Sequence, residues 1–146
     1  MTPVKINATY HDSCRLARLS EPYVFWNGKR LPFGRTEPPK KWRRGTNGIY
    51  EPPRNVLKKI PELNLLEMER IRENAWCCGA GGGVKWAFND FALWTASERL
   101  EEAESVGAEA IIGSCPFCKW NFLDAAKNTK KKIKVLDFVE VAAQAI

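Results

Sequence analysis

Five cysteines are the residues of this 146-residue chain best suited to chemistry: Cys14, the adjacent pair Cys77 and Cys78, and Cys115 and Cys118 in the run CPFC. A cysteine thiolate is a soft metal ligand and a redox nucleophile. Five is an odd number, which argues against a closed set of disulfides. The opening stretch MTPVKINATYHDSC lacks a basic-then-apolar leader, so a reducing, cytoplasmic setting is expected. In that setting clustered thiols bind metal or carry electrons. Gly79, Gly81, Gly82 and Gly83 follow the cysteine pair. They remove side-chain bulk and let backbone amides approach a large ligand, a sulfur or an anion. In CPFC, Cys115 is expected at a helix N-cap, Pro116 at the first helical position and Cys118 in the first turn. Both sulfurs then sit at a helix N-terminus, whose free amides stabilise thiolates. His11 is the single histidine, three residues before Cys14. It is a weak catalytic candidate, as a proton donor or a hydrogen-bond donor to a site sulfur. A structural loop residue is the favoured reading.

These residues need elements to bring them together. KINATY (5–10) reads as a strand, with Cys14 just beyond it. PRNVLKKIPE reads as a short helix opened by Pro53, and LNLLEM (63–68) as a second strand. Residues 84–105 carry an i, i+3, i+4, i+7 stripe through Val84, Ala87, Phe88, Phe91, Trp94 and Thr95, continued by Leu100 and Ala103. Glu98, Glu101, Glu102 and Glu104 are expected on its outer face, and Gly107 just past its end. EAIIGS (109–114) and IKVLDF (133–138) read as strands buried on both faces, each followed by a helix. Lys130–Lys132 falls in a polar turn taken to be solvated. Alternation of this kind implies an α/β fold with a small parallel sheet and flanking helices. Sites in such folds gather at the carboxyl ends of the strands, which is where all five cysteines map. Trp76, Trp86, Trp94 and Trp120 are expected to wall that site or fill the core.

Composition bounds the rest. Hydrophobic residues make up 45% and charged residues 27%, which excludes a disordered or collagen-like chain. No apolar run is long enough to span a bilayer. The formal charge of +6 resides in one place: residues 29–44 hold seven basic residues and one acid, while the remainder balances 16 against 16. Six of nine prolines and four of ten glycines lie within residues 20–53, which read as a long irregular loop. Its cations interleave with Trp26, Phe33 and Trp42. The expected role is a solvated loop or a docking surface for another subunit. Stacking on single-stranded nucleic acid and capture of an anionic substrate are alternatives, and nucleic acid is not the expected partner.

Single motifs exclude little. CPFC is similar to a glutaredoxin dithiol, yet only 28 residues follow Cys118, too few for the remainder of that fold. GAGGG is no dinucleotide fingerprint, because a G-x-G-x-x-G frame from Gly79 meets Val84 where the third glycine belongs.

The combination is more specific. CCG-AGGG with CPFC, 35 residues lying between CCG and CPFC, resembles the CCG or cysteine-rich domain of heterodisulfide reductase B- and D-type subunits and related iron–sulfur oxidoreductases. YHDSCRLAR resembles that family's YHDPCHLGR, and NGIYEPPR its NGVYEPPR. Ser13 stands where the family usually has proline, and Arg15 where it has histidine. The 62 residues between Cys14 and Cys77 are long for the family; removing about Leu19–Gly45 leaves a family-like 35. The resemblance implies a single cluster-binding domain over residues 1–146 with a basic, proline-rich insertion at 19–45. It implies Cys14, Cys77, Cys78, Cys115 and Cys118 as ligands of a [4Fe–4S] cluster, with a noncubane form among the options and zinc possible in the isolated protein. It also implies electron transfer to a disulfide or thiol substrate, from partner iron–sulfur or flavin subunits. The chain is then a fragment or one subunit of a larger complex, and any membrane association is expected to run through partner subunits. A non-catalytic zinc or cubane-cluster docking domain is the alternative.

Overall fold

A computed structural model describes residues 1–146 as a three-layer α/β domain carrying an arm. The chain enters on β1 (Ile6–His11) and then leaves the domain. The arm contains a two-residue hairpin, β2 (Lys29–Arg30) and β3 (Thr36–Glu37). The chain returns at α1 (Glu51–Leu57) and continues through β4 (Leu63–Leu66), α2 (Val84–Ala87), α3 (Asn89–Ser105), β5 (Ala110–Gly113), α4 (Pro116–Asn128), β6 (Lys134–Asp137) and α5 (Phe138–Gln144). The main sheet has the order β4-β1-β5-β6, all parallel. In register, Ala8 pairs with both Leu65 and Ala110, and Ile111 with Val135. Chain order thus reverses between β1 and β5, the crevice where doubly wound sheets bind ligands.

Strand alternation splits the core into two faces. Ala8, Tyr10, Ala110 and Ile112 pack with Leu57, Ile60 and Val141 on the side of α1 and α5. Ile111 packs with Ala96, Leu100, Ala103, Phe122 and Ala125 on the side of α3 and α4. β5 is buried along its whole length. β6 is an edge strand and only partly covered, so the expected burial of both strands on both faces is corrected for IKVLDF.

Three further expectations change. The 84–105 helix is broken at Phe88, whose backbone (φ −141°, ψ 63°) separates α2 from α3. Its core face is not the aromatic stripe. Phe88, Phe91 and Trp94 are exposed, while Ala92, Ala96, Leu100 and Ala103 are buried. The reason is fit: α3 lies close against α4, and small side chains permit that approach where rings do not. Glu102 is buried rather than on the outer face, 2.5 Å from Arg99, which is itself buried. Gly107 ends α3 as expected, at φ +78°. Lys131 is not free in solvent; it pairs with Glu104 at 2.6 Å.

The arm occupies the region of the expected insertion and contains the small hairpin. Its neck is closed by Glu21, whose carboxylate accepts from the Gly45 amide at 2.7 Å and the Asn47 amide at 3.3 Å. The Gly45 amide holds that carboxyl below the usual range. Ser20 Oγ accepts from the Ile49 amide at 2.9 Å.

Candidate metal centre

The three cysteine-bearing loops converge at the carboxyl end of the sheet. Cys14 lies three residues beyond β1, and Cys115 two beyond β5. All five cysteines line one cavity of about 310 Å³, with Arg15, Gly81, Gly82, Gly83, Trp86 and Phe117 completing its wall. None is in a disulfide; Cys78 and Cys118 are buried, Cys14 and Cys115 half-buried, and Cys77 exposed.

Each loop is held by identifiable contacts. Asp12, two residues before Cys14, is fully buried and receives both terminal nitrogens of Arg54, at 2.7 and 2.8 Å. Arg54 also donates from Nε to Glu67 at 2.7 Å, and the Arg72 amide donates to Asp12 at 2.8 Å. The YHD and EPPR segments are therefore two halves of one buried ion pair, which fixes the Cys14 loop against α1. Ser13 Oγ accepts from the Ser114 amide at 3.3 Å, and Tyr10 Oη shares a 2.9 Å hydrogen bond with Ser114 Oγ. Ser13 thus ties the first loop to the CPFC loop with a bond that a proline side chain cannot make.

The second loop turns on Gly79. Its φ is +86°, and a Cβ there lies 2.8 Å from Thr95 Cβ and 2.9 Å from the Ala92 carbonyl oxygen. Both conformation and space demand glycine. Its amide donates to Cys77 Sγ at 3.4 Å. Asn121, one turn beyond Cys118, donates to the carbonyls of Cys78 (2.7 Å) and Ala92 (2.9 Å). In the third loop Cys115 is the N-cap of α4, Pro116 opens the helix and Cys118 lies in its first turn, as expected from the sequence.

The electrostatics follow from sulfur crowding. Contact with Cys118, helped by burial, pushes the Cys78 thiol up to about 12, and contact with Cys78 pushes Cys77 up as well. Such thiols stay protonated unless a cation sits among them, and a bound metal ion reverses that preference. The surroundings fit a bulky cluster. Gly81, Gly82 and Gly83 line the cavity, and a Cβ at any of them meets no atom within 4 Å. The donors are soft sulfurs, suited to iron–sulfur clusters or zinc.

His11 is corrected from loop to strand. It closes β1, is 1% exposed, and packs edge-on to Phe122 at 4.9 Å. Burial, then the charges of Arg99 and Arg18, hold it down at about 3, so the ring is neutral. Nδ1 accepts from Arg99 Nε at 3.4 Å. One ring nitrogen and the sulfurs of Cys78 and Cys118 lie within 4.8 Å of one another. With Nδ1 accepting, the neutral ring carries its proton on Nε2. Of the tryptophans, Trp86 walls the cavity, stacking edge-on with Phe117 and Trp120, while Trp94 points to solvent and Trp76 lies under the Arg70 guanidinium at 3.9 Å.

The sequence of residues 41–123 matches the family model described as the CCG cysteine-rich domain. That span includes four of the cysteines, so Cys14 joins the site on geometry. The chain is 43% identical over 138 residues to the D-type subunit of the dihydromethanophenazine:CoB–CoM heterodisulfide reductase of Methanosarcina acetivorans, spanning 94% of this chain and 27% of that protein. It is 34% identical over 146 residues to the "probable iron-sulfur-binding oxidoreductase FadF" of Bacillus subtilis, spanning 99% of this chain and 17% of that one. It is 29% identical over 153 residues to the EtfAB:quinone oxidoreductase of Syntrophomonas wolfei, spanning 99% and 18% respectively. The chain therefore spans about a quarter or less of these curated relatives.

Proposed function

Because the chain belongs to the CCG cysteine-rich domain family, we propose that it is the iron–sulfur cluster-binding module of a heterodisulfide-reductase-like oxidoreductase. The observation that carries this reading is the convergence of five sulfurs from three separate loops on one cavity. Cys14, Cys77, Cys78, Cys115 and Cys118 are the proposed ligands. Five thiolates exceed the four that a cubane [4Fe–4S] cluster or a tetrahedral zinc uses, which favours a noncubane cluster or leaves one sulfur facing substrate. Cys77, exposed at the cavity mouth, is that sulfur in the second case. When bound, the cluster supplies one-electron chemistry. The chain's residues supply the rest: Gly79 directs its amide at the Cys77 sulfur, Asn121 and Asp12 fix the loops, and Trp86 and Phe117 wall the cavity. The proposed substrate is a disulfide, whose reduction to two thiols takes two electrons and two protons. The electrons come from a partner iron–sulfur or flavin subunit, in a cytoplasmic setting.

The test is iron and acid-labile sulfide analysis with EPR on anaerobically purified or reconstituted protein. Iron and sulfide in stoichiometric amount, with a paramagnetic signal on oxidation or reduction, are expected. Absence of both after reconstitution refutes the cluster. A second reading, a non-catalytic zinc docking domain, is favoured by the closeness of His11, Cys78 and Cys118, a mixed nitrogen and sulfur donor set. Colourless protein holding zinc after anaerobic reconstitution with iron and sulfide selects it.

A further inference from the structure

The arm is unused by the site. None of its seven cations between Lys29 and Arg44 joins an ion pair with a carboxylate, although charges elsewhere in the chain do so repeatedly. Its hairpin apex is Leu31-Pro32-Phe33-Gly34, between β2 and β3. Phe33 is 100% exposed at φ +60°, a conformation costly for a bulky residue. Lys29 and Arg30 precede the apex and Arg35 follows it, all exposed. Further large side chains of the arm are open to solvent, among them Phe25 at 78% and Trp42 at 71%. Glu21 closes the neck at which this assembly joins the domain.

We propose that the arm docks the protein on an anionic lipid surface, with the apex Phe33 entering the interface and the surrounding cations on the headgroups. The two signals are those that reversible membrane binding requires: an apolar anchor too small to hold alone, and a polybasic collar. The apex carries no side chain able to hydrogen-bond, so it reads depth and charge rather than a specific partner. Nucleic acid is a poorer fit. A stacking platform for bases uses several open rings in a row, and of the arm's two tryptophans only Trp42 is open: Trp26 is half-buried, donates to the Pro38 carbonyl at 3.0 Å and is covered by Lys40 at 5.4 Å. An acidic protein fits the apex poorly, because Leu31, Pro32, Phe33 and Gly34 offer it no polar side chain.

The experiment is flotation of the full chain with phosphatidylcholine vesicles, with and without phosphatidylglycerol. The expected result is binding to the anionic vesicles only, weakening as salt rises. Phe33→Ser is expected to weaken it roughly tenfold or more. Arg30→Ala and Arg35→Ala are expected to weaken it about fivefold each. Their thermal unfolding is expected to be unchanged, because all three side chains are exposed. Three results overturn the proposal: no flotation with anionic vesicles, equal flotation of the Phe33 variant, or binding that appears only with a single-stranded oligonucleotide or an acidic polypeptide.

Discussion

Breaking the Arg54 pair is the most damaging polar change available near the site. Arg54 and Asp12 are both fully buried and bonded twice, so losing Arg54 leaves Asp12 charged and without its ion-pair partner in the core. Arg54→Met is expected to cost about 3–5 kcal/mol in chemical denaturation, and the Asp12→Asn, Arg54→Met double variant less than the sum of the two single changes. Equal additivity rules out the coupling. Gly79→Ala is the backbone counterpart. A positive φ and a contact with the Ala92 carbonyl oxygen together predict a loss of about 2–3 kcal/mol, read as a lowered denaturation midpoint. The two sites differ in how openly the sequence announces them. The cysteines and Gly79 are legible because their spacing is itself the signal. Asp12 and Arg54 are 42 positions apart, and only the topology reveals that YHD and EPPR face one another. Asn121 is hidden in the same way, since its two carbonyl partners lie in different elements.

At the level of elements, the neck of the arm gives a prediction with a definite pH sign. Glu21 is held below its ordinary value of 4.5, first by the Gly45 amide. A depressed carboxyl stabilises the fold above its unfolded-state value and loses that contribution as pH falls through the folded one. Wild type is therefore expected to melt above Glu21→Gln at neutral pH, and the gap to close as pH drops below about 4.5. A gap that is constant with pH defeats this account. The elements themselves are largely legible. β1, β4, β5 and the two helices after the last strands are readable from short apolar runs bounded by turn residues. The arm is readable from the excess spacing between Cys14 and Cys77. What misleads is bulk. Periodicity gives Phe91 and Trp94 more weight than Ala92 and Ala96, yet a close helix pair buries the alanines and turns the rings outward. The Phe88 break is hidden for a related reason, because the stripe runs through it without interruption.

For the whole molecule, the crowded sulfurs couple site formation to folding. Cys78 and Cys118 belong to the same buried cluster as Leu100, Ile111 and Phe122, so whatever binds the sulfurs also ties α3, α4 and the sheet together. Cys14 is delivered from β1, Cys77 and Cys78 from the loop before α2, and Cys115 and Cys118 from the start of α4. A ligand held by all three segments binds the folded chain far better than the unfolded one, and its binding free energy becomes folding free energy. Reconstituted protein is thus expected to melt roughly 10 °C or more above chelator-treated protein, at about 2–4 °C per kcal/mol for a chain of this size. Replacing Cys118 with serine is expected to abolish that increment. The decisive variant is Cys14→Ser, because Cys14 lies outside the stretch that the family model matches. If all three loops bind one centre, Cys14→Ser loses much of the increment and changes the EPR spectrum of the loaded protein. An undiminished increment with an unchanged spectrum means that Cys14 only lines the cavity, and the centre is then held by the four cysteines of the other two loops.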